Sequence, residues 1–155
     1  MSVVLDRKGI EALIPHRDPF LLIDRVTELE PGVRAVAEHT FTGEEWYLKG
    51  HFPGNPIVPG VILVESLAQA ATVMAMALPE YRDGLGLFAG IDEMRFKRIV
   101  RPGETARFEA VIDKMRRGYA RVNVRAFVGD EVAAEGVIQA IFQPRAAAAP
   151  KQTAP

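Results

Sequence analysis

Gly60-Val61-Ile62-Leu63-Val64-Glu65-Ser66-Leu67-Ala68-Gln69-Ala70-Ala71-Thr72-Val73-Met74-Ala75-Met76-Ala77-Leu78 contains the longest apolar region of this 155-residue chain. Glu65, Ser66, Gln69 and Thr72 interrupt it. A membrane-spanning helix needs roughly 20 predominantly apolar residues, so this segment reads as a buried helix over about Gly60–Leu78. Ala68, Ala70, Ala71, Ala75 and Ala77 fall on several of its faces. Small side chains on several faces let other backbone approach closely all round, which predicts an enclosed helix.

The flanking sequence supplies the enclosure. A short amphipathic helix is predicted at about Arg7–Leu13, before the turn Ile14-Pro15-His16-Arg17-Asp18-Pro19. Phe20–Leu29 reads as a strand ended by Glu30-Pro31-Gly32, and Val33–Phe41 as a second strand followed by the turn Thr42-Gly43-Glu44-Glu45. Beyond the long helix, Leu85–Ile91 and Arg95–Val100 read as two strands, the latter stopped by Arg101-Pro102-Gly103. Ala106, Phe108, Ala110 and Ile112 alternate with Arg107, Glu109 and Asp113. Ala120, Val122, Val124 and Ala126 alternate with Tyr119, Arg121, Asn123 and Arg125. A period of two marks a sheet with one buried face. Gly129-Asp130 is a two-residue hairpin turn into a last strand at about Val132–Phe142. The chain is thus an α+β protein, an antiparallel sheet wrapped around one long helix. It is one domain over residues 1–143, followed by an Ala/Pro-rich tail, 144–155, that is expected to be disordered.

Bulk properties exclude several functions. With 19 basic and 20 acidic residues the formal net charge is −1, which gives no general case for nucleic-acid binding. There is no cysteine, so disulfides, thiolate nucleophiles and cysteine-ligated metals are excluded. No third ligand stands at a spacing that would hold a metal ion, and the residues call for no cofactor. Met1–Lys8 lacks the apolar core of a signal peptide, and a cytoplasmic, membrane-free protein is expected.

The chemistry concentrates just before the long helix, in Gly50-His51-Phe52-Pro53-Gly54-Asn55-Pro56-Ile57-Val58-Pro59. The prolines restrict φ and the glycines permit unusual geometry, so the loop is conformationally specified. A helix beginning near Pro59-Gly60 aims its first free N–H groups back at that loop. Glu65 lies a turn further on, in an otherwise apolar helix where an unpaired carboxylate is costly. Base, acid and partial positive charge can therefore converge, which equips the segment to move a proton next to a carbonyl. His39, within a strand, and His16, in a Pro-flanked turn, read as structural. Arg95-Phe96-Lys97-Arg98 and Arg101, with Arg116-Arg117, form either a solvated basic face or a surface for an acidic partner protein.

The stretch His16–Arg25, the His51–Glu65 segment, Gln69, and Phe88-Ala89-Gly90-Ile91-Asp92-Glu93 with Arg95–Arg98 resemble the 3-hydroxyacyl-[acyl-carrier-protein] dehydratases of bacterial-type fatty acid synthesis. The resemblance runs from about Arg7 to Phe142. It implies the hot-dog fold, a homodimer joined through its sheets, a trimer of dimers, and an active site built from two subunits. It places His51 at the family's catalytic histidine, Glu65 at its catalytic carboxylate, and the Gly60/Val61 backbone at its carbonyl-binding site. The related dehydratase-isomerases carry aspartate at the Glu65 position, so isomerase activity is disfavoured. Leu87 stands where many members have a mobile tyrosine, so a tyrosine gate is not expected.

The implied reaction is removal of water from a 3-hydroxyacyl chain on acyl carrier protein, giving the trans-2-enoyl thioester. A hot-dog acyl-thioesterase and a non-catalytic acyl-thioester-binding module are the alternatives. Acyl carrier proteins are acidic. By strand alternation Lys97 and Arg101 share a face, which makes them the expected partner surface, with Arg116 and Arg117 as weaker candidates.

Overall fold

A computed structural model describes residues 3–145. The expected disordered tail falls outside the described residues from 146 onward. Helix α1 (Arg7–Leu13) is capped by Asp6, whose carboxylate accepts the Gly9 N–H at 2.9 Å. Strands β1 (Arg25–Glu30) and β2 (Arg34–Thr40) precede the long helix α2 (Gly60–Met76). A short 3-10 turn at Pro79–Tyr81 leads into β3 (Leu85–Phe96), β4 (Thr105–Arg116), β5 (Tyr119–Val128) and β6 (Glu131–Gln143).

The strands form one six-stranded sheet in the order β1-β2-β4-β5-β6-β3, and every neighbouring pair is antiparallel. The sheet curls around α2, which packs against β2, β4, β5 and β6, giving the hot-dog arrangement. The predicted alternation holds, since Ala106, Phe108, Ala110, Ala120, Val122, Val124 and Ala126 are all buried on the inner face. Alanines on both helix and sheet let the two backbones come close. Every residue of α2 from Ile62 to Met76 is buried except Glu65 and Ala68. Val61, Glu65 and Ala68 are spaced four and three residues apart, so they form one stripe along the helix. That stripe is the open side of an otherwise enclosed rod. Ser66 and Thr72 satisfy their hydroxyls on the helix itself, donating to the Ile62 and Ala68 carbonyls at 2.8 Å.

The structure revises two strand boundaries. Phe20–Ile23 is not in a strand, and β1 starts at Arg25, because the Phe20–Leu22 backbone bonds to the Gln69 side chain instead of a sheet neighbour. The two strands expected over Leu85–Ile91 and Arg95–Val100 are one strand, β3, with register shifts at Phe88/Gly90 and Asp92/Arg95. Gly136 of β6 makes room for the second irregularity, since a Cβ there would lie 2.9 Å from the Met94 Cα. Strand β3 ends at Phe96 because the Lys97 and Arg98 N–H groups both turn to the Ala133 carbonyl, at 2.8 and 3.4 Å. Lys97 and Arg101 therefore lie beyond the strand, and alternation does not put them on a shared face.

Candidate active site

The loop before α2 is knotted by its own backbone. Phe52 and Asn55 exchange N–H···O=C bonds of 3.0 and 2.8 Å, and the Ile57 N–H donates to the His51 carbonyl at 2.8 Å. The Val58 N–H ties the loop to the Val100 carbonyl at 2.9 Å. The His51 ring is fixed by the same segment, with Nδ1 2.8 Å from the Ile57 carbonyl oxygen. A carbonyl only accepts, so Nδ1 carries the proton and Nε2 of the neutral ring is left as a free base. The Phe52 ring stacks on the imidazole with centroids 4.1 Å apart.

Beside His51, helix α2 begins without a cap. Pro59 occupies the N-cap position and has no side-chain acceptor to offer. Ile62 and Leu63 turn back to the Pro59 carbonyl, at 3.0 and 3.4 Å. The Gly60 and Val61 N–H groups have no acceptor among the described residues. Two free amides at the positive end of a helix stabilise negative charge on an oxygen. Gly60 is required for the close fit here, because a Cβ would lie 2.8 Å from the Phe96 ring. His51, Gly60, Val61, Phe96 and Lys97 line one hollow of about 530 Å³.

Glu65 lies on the open stripe of α2, in a second hollow of about 360 Å³ whose other lining residues, Val61, Val64, Phe88, Ile91, Met94 and Phe96, are all apolar. Burial pushes its carboxyl above the ordinary carboxylate range, and a hydrogen bond from Gln69 partly opposes that rise. Gln69 is fully buried and is the hub of this region. Its Nε2 donates to Glu65 Oε1 at 3.2 Å and to the Phe20 carbonyl at 2.8 Å, while its Oε1 accepts the Leu22 N–H at 2.8 Å. The turn after α1 is thereby bolted to the helix that carries the acid.

That turn delivers a residue the sequence reading assigned to structure. His16 Nε2 stands 3.6 Å from Glu65 Oε1, and both side chains line a small cavity beneath β3 and β6. The turn itself is tied back to α1, since Arg17 donates to the Ile14, His16 and Glu11 carbonyls at 2.8, 2.7 and 2.9 Å. Burial, helped by the Arg17 charge, holds the His16 ring below the usual histidine range. Some forty-nine residues of chain separate His16 from Glu65, so no local spacing signals the contact. His39 is structural as read, with Nδ1 2.8 Å from the Asp24 carboxylate.

The basic residues are engaged more than the sequence suggests. The Lys97 Nζ lies 2.5 Å from Glu135, and Arg98 forks onto Glu104 with contacts of 2.9 and 2.7 Å. Arg101 is exposed and donates to Asn55 Oδ1 at 3.0 Å, on the loop that carries His51. Lys97 therefore lines the His51 hollow and Arg101 bonds to the loop that carries His51, whereas Arg116 and Arg117 lie at the opposite end of β4. Among the described residues no cluster of His, Asp or Glu could hold a metal ion, and no helix is long and apolar enough to cross a membrane.

A histidine base beside free helix-start amides, and a carboxylic acid one turn along the same helix, define a protein equipped for acid–base chemistry next to a carbonyl. The family model of the FabA-like domain matches residues 14–137, and the chain belongs to this family. It is 56% identical over 132 residues, 85% of this chain and 92% of the relative, to a protein of Chloroflexus aggregans named 3-hydroxyacyl-[acyl-carrier-protein] dehydratase FabZ. Relatives of the same name from Roseiflexus castenholzii and Thermomicrobium roseum are 52% and 49% identical, over 86% and 93% of this chain and 93% and 97% of the relatives. Among solved structures, the dehydratase heterocomplex ApeI:P of Xenorhabdus doucetiae matches with a TM-score of 0.76 at 15% identity, covering 89% of this chain and 93% of that one. An uncharacterized protein of Pyrococcus horikoshii matches with a TM-score of 0.67 at 17% identity, covering 92% and 95%. These two likenesses concern the fold.

Proposed function

We propose that this chain is a hydro-lyase of fatty acid biosynthesis that converts 3-hydroxyacyl-acyl carrier protein to trans-2-enoyl-acyl carrier protein. The name its relatives carry, 3-hydroxyacyl-[acyl-carrier-protein] dehydratase, supports this reading. The observation that carries the reading is the fixed His51 ring, with its free Nε2, beside the unpartnered Gly60 and Val61 amides. Nε2 takes the proton from C2, next to the thioester carbonyl. The helix-start amides hold the developing enolate oxygen, where preorganised donors act with most effect. Glu65, whose acid form is favoured by burial, protonates the hydroxyl leaving C3. The C2–H and C3–O bonds break, the C2=C3 bond forms, and water departs. His51 is left holding the proton taken from C2 and Glu65 is left as the carboxylate, and passage of one proton from His51 to Glu65 through solvent resets the site. No step calls on a cofactor.

Within one chain His51 and Glu65 line separate hollows that meet at Val61 and Phe96. The free edge of the sheet, β3, exposes Leu87, Phe88, Ile91 and Phe96, each about half accessible. An apolar edge of that kind seeks a partner. We read it as the seam of a homodimer in which Glu65 of one subunit meets His51 of the other, with three such dimers assembling further. Lys97, which lines the His51 hollow, and Arg101, bonded to its loop, are assigned to steering the acidic carrier in the cytoplasm.

The decisive assay incubates the protein with a 3-hydroxyacyl thioester and follows conjugated enoyl absorbance and free thiol in parallel. Enoyl product without thiol is expected. His51→Ala and Glu65→Gln should each lose at least about a hundredfold, the usual lower worth of a general acid or base. Thiol release would point instead to a thioesterase, and binding without either product to an acyl-binding module.

A further inference from the structure

Oxygen Oε1 of Glu65 is approached by two nitrogens, Gln69 Nε2 at 3.2 Å and His16 Nε2 at 3.6 Å. The Gln69 nitrogen is an unambiguous donor, because its oxygen is already occupied by the Leu22 N–H. The protonation of His16 follows from its other nitrogen. Nδ1 is buried and has no hydrogen-bond partner among the described residues. A neutral imidazole has one N–H and one bare nitrogen, and an orphaned buried N–H is rarer than an orphaned acceptor. The bare nitrogen is therefore Nδ1, and the N–H sits on Nε2, directed at Glu65. A second proton on Nδ1 would bury an unpaired donor and charge together, so the ring stays neutral.

The consequence falls on the acid. An oxygen that faces donors is the disfavoured place for the carboxyl hydrogen, because the carbonyl oxygen of an acid is a better acceptor than its hydroxyl oxygen. We propose that His16 is a positioning residue that, together with Gln69, pins Oε1 of Glu65 as the carbonyl oxygen and thereby places the transferable proton on Oε2, facing the leaving hydroxyl. The present 3.6 Å lies just outside hydrogen-bond range, and such contacts commonly tighten once substrate binds. The small cavity on the His16 side of Glu65 is also lined by Thr72, whose hydroxyl already donates to the Ala68 carbonyl at 2.8 Å. This inference rests on the reading of Glu65 as the general acid.

The test uses the intact, assembled enzyme in single-turnover assays. His16→Leu, which removes the donor, should lower kcat about tenfold while leaving KM within about twofold, the scale usual for groups that orient a reacting residue. His16→Gln, which returns an N–H near the same place, should recover most of that loss. In a Glu65→Gln background His16→Leu should cost nothing further, because the residue acts only through the carboxyl. The protonated Glu65 C=O infrared band, identified by its disappearance in Glu65→Gln, should move to higher frequency in His16→Leu as the oxygen loses a donor. His16→Asn, polar but too short to reach Oε1, should behave like His16→Leu and replaces it if the latter does not assemble. Equal losses in both backgrounds, or an unmoved band, would overturn the role of His16. Full activity of Glu65→Gln would instead remove the general-acid assignment and the inference with it.

Discussion

Gln69→Leu should cost far more than its chemistry at first suggests, because the side chain serves the fold and the site at once. The change is close to isosteric, and the residue is fully buried, so packing volume is nearly conserved. What is lost is three hydrogen bonds, to the Leu22 N–H, the Phe20 carbonyl and Glu65. Leaving a buried backbone donor or acceptor unpaired costs about 1–3 kcal/mol each, so the two backbone groups together cost about 2–6 kcal/mol. The added apolar burial returns roughly 1 kcal/mol, and a net loss of about 3 kcal/mol is expected. For a chain of this size about 1 kcal/mol corresponds to roughly 2–4 °C, so the midpoint should fall by about 6–12 °C. Urea unfolding of wild type and variant at one fixed protein concentration measures it, since assembly makes stability concentration-dependent. The bond that opposes the upward shift of Glu65 also disappears, so its acid form should persist to higher pH in the variant. A stability loss below about 1 kcal/mol, the size of an ordinary hydrogen bond, would refute the claim that Gln69 bolts the Phe20–Leu22 segment to α2.

Three further outcomes are expected. Mixing inactive His51→Ala with inactive Glu65→Gln subunits, under conditions that exchange chains, should restore activity, whereas no recovery after proven exchange would place the whole site in one chain. Charge reversal at Lys97 and Arg101 should raise KM for carrier-bound substrate, spare a thioester without carrier, and fade with salt as screening sets in over about 8–10 Å; equal losses on both substrates would assign these residues to the fold. For stability, the raised Glu65 pKa means the folded state binds more protons than the unfolded one, where glutamate titrates near about 4.3. Stability from this group is therefore full below that pH and is lost as pH rises through the folded value. Glu65→Gln should match wild type at low pH and exceed it at neutral pH, and unfolding curves at both pH values check the sign.

The features legible in the sequence were those with local causes. The alanine-rich α2, the alternating β4 and β5, and the Gly129-Asp130 hairpin each follow from residues close together in the chain. The His51 loop and Glu65 were visible for the same reason, one as a cluster of prolines and glycines, the other as a charge amid apolar residues. What escaped were effects of tertiary partners. Phe20–Leu22 has strand-forming residues, yet a distant glutamine takes its backbone bonds. His16 carries no sign in its own turn that it will face Glu65. Strand β3 runs on past Ile91 because β6 continues beside it and Gly136 admits the irregularity. The end of that strand at Phe96 is what undid the alternation linking Lys97 to Arg101.

The separation of His51 and Glu65 into different hollows of one chain has a genetic corollary. On the proposed sharing of each site between two chains, a subunit that lacks both side chains contributes a defective half to both sites of its dimer. No site in such a mixed pair is whole, although its partner is wild type. Co-expressed with the normal gene, the doubly altered allele would therefore act as a dominant poison. Residual activity would follow the square of the wild-type fraction rather than the fraction itself.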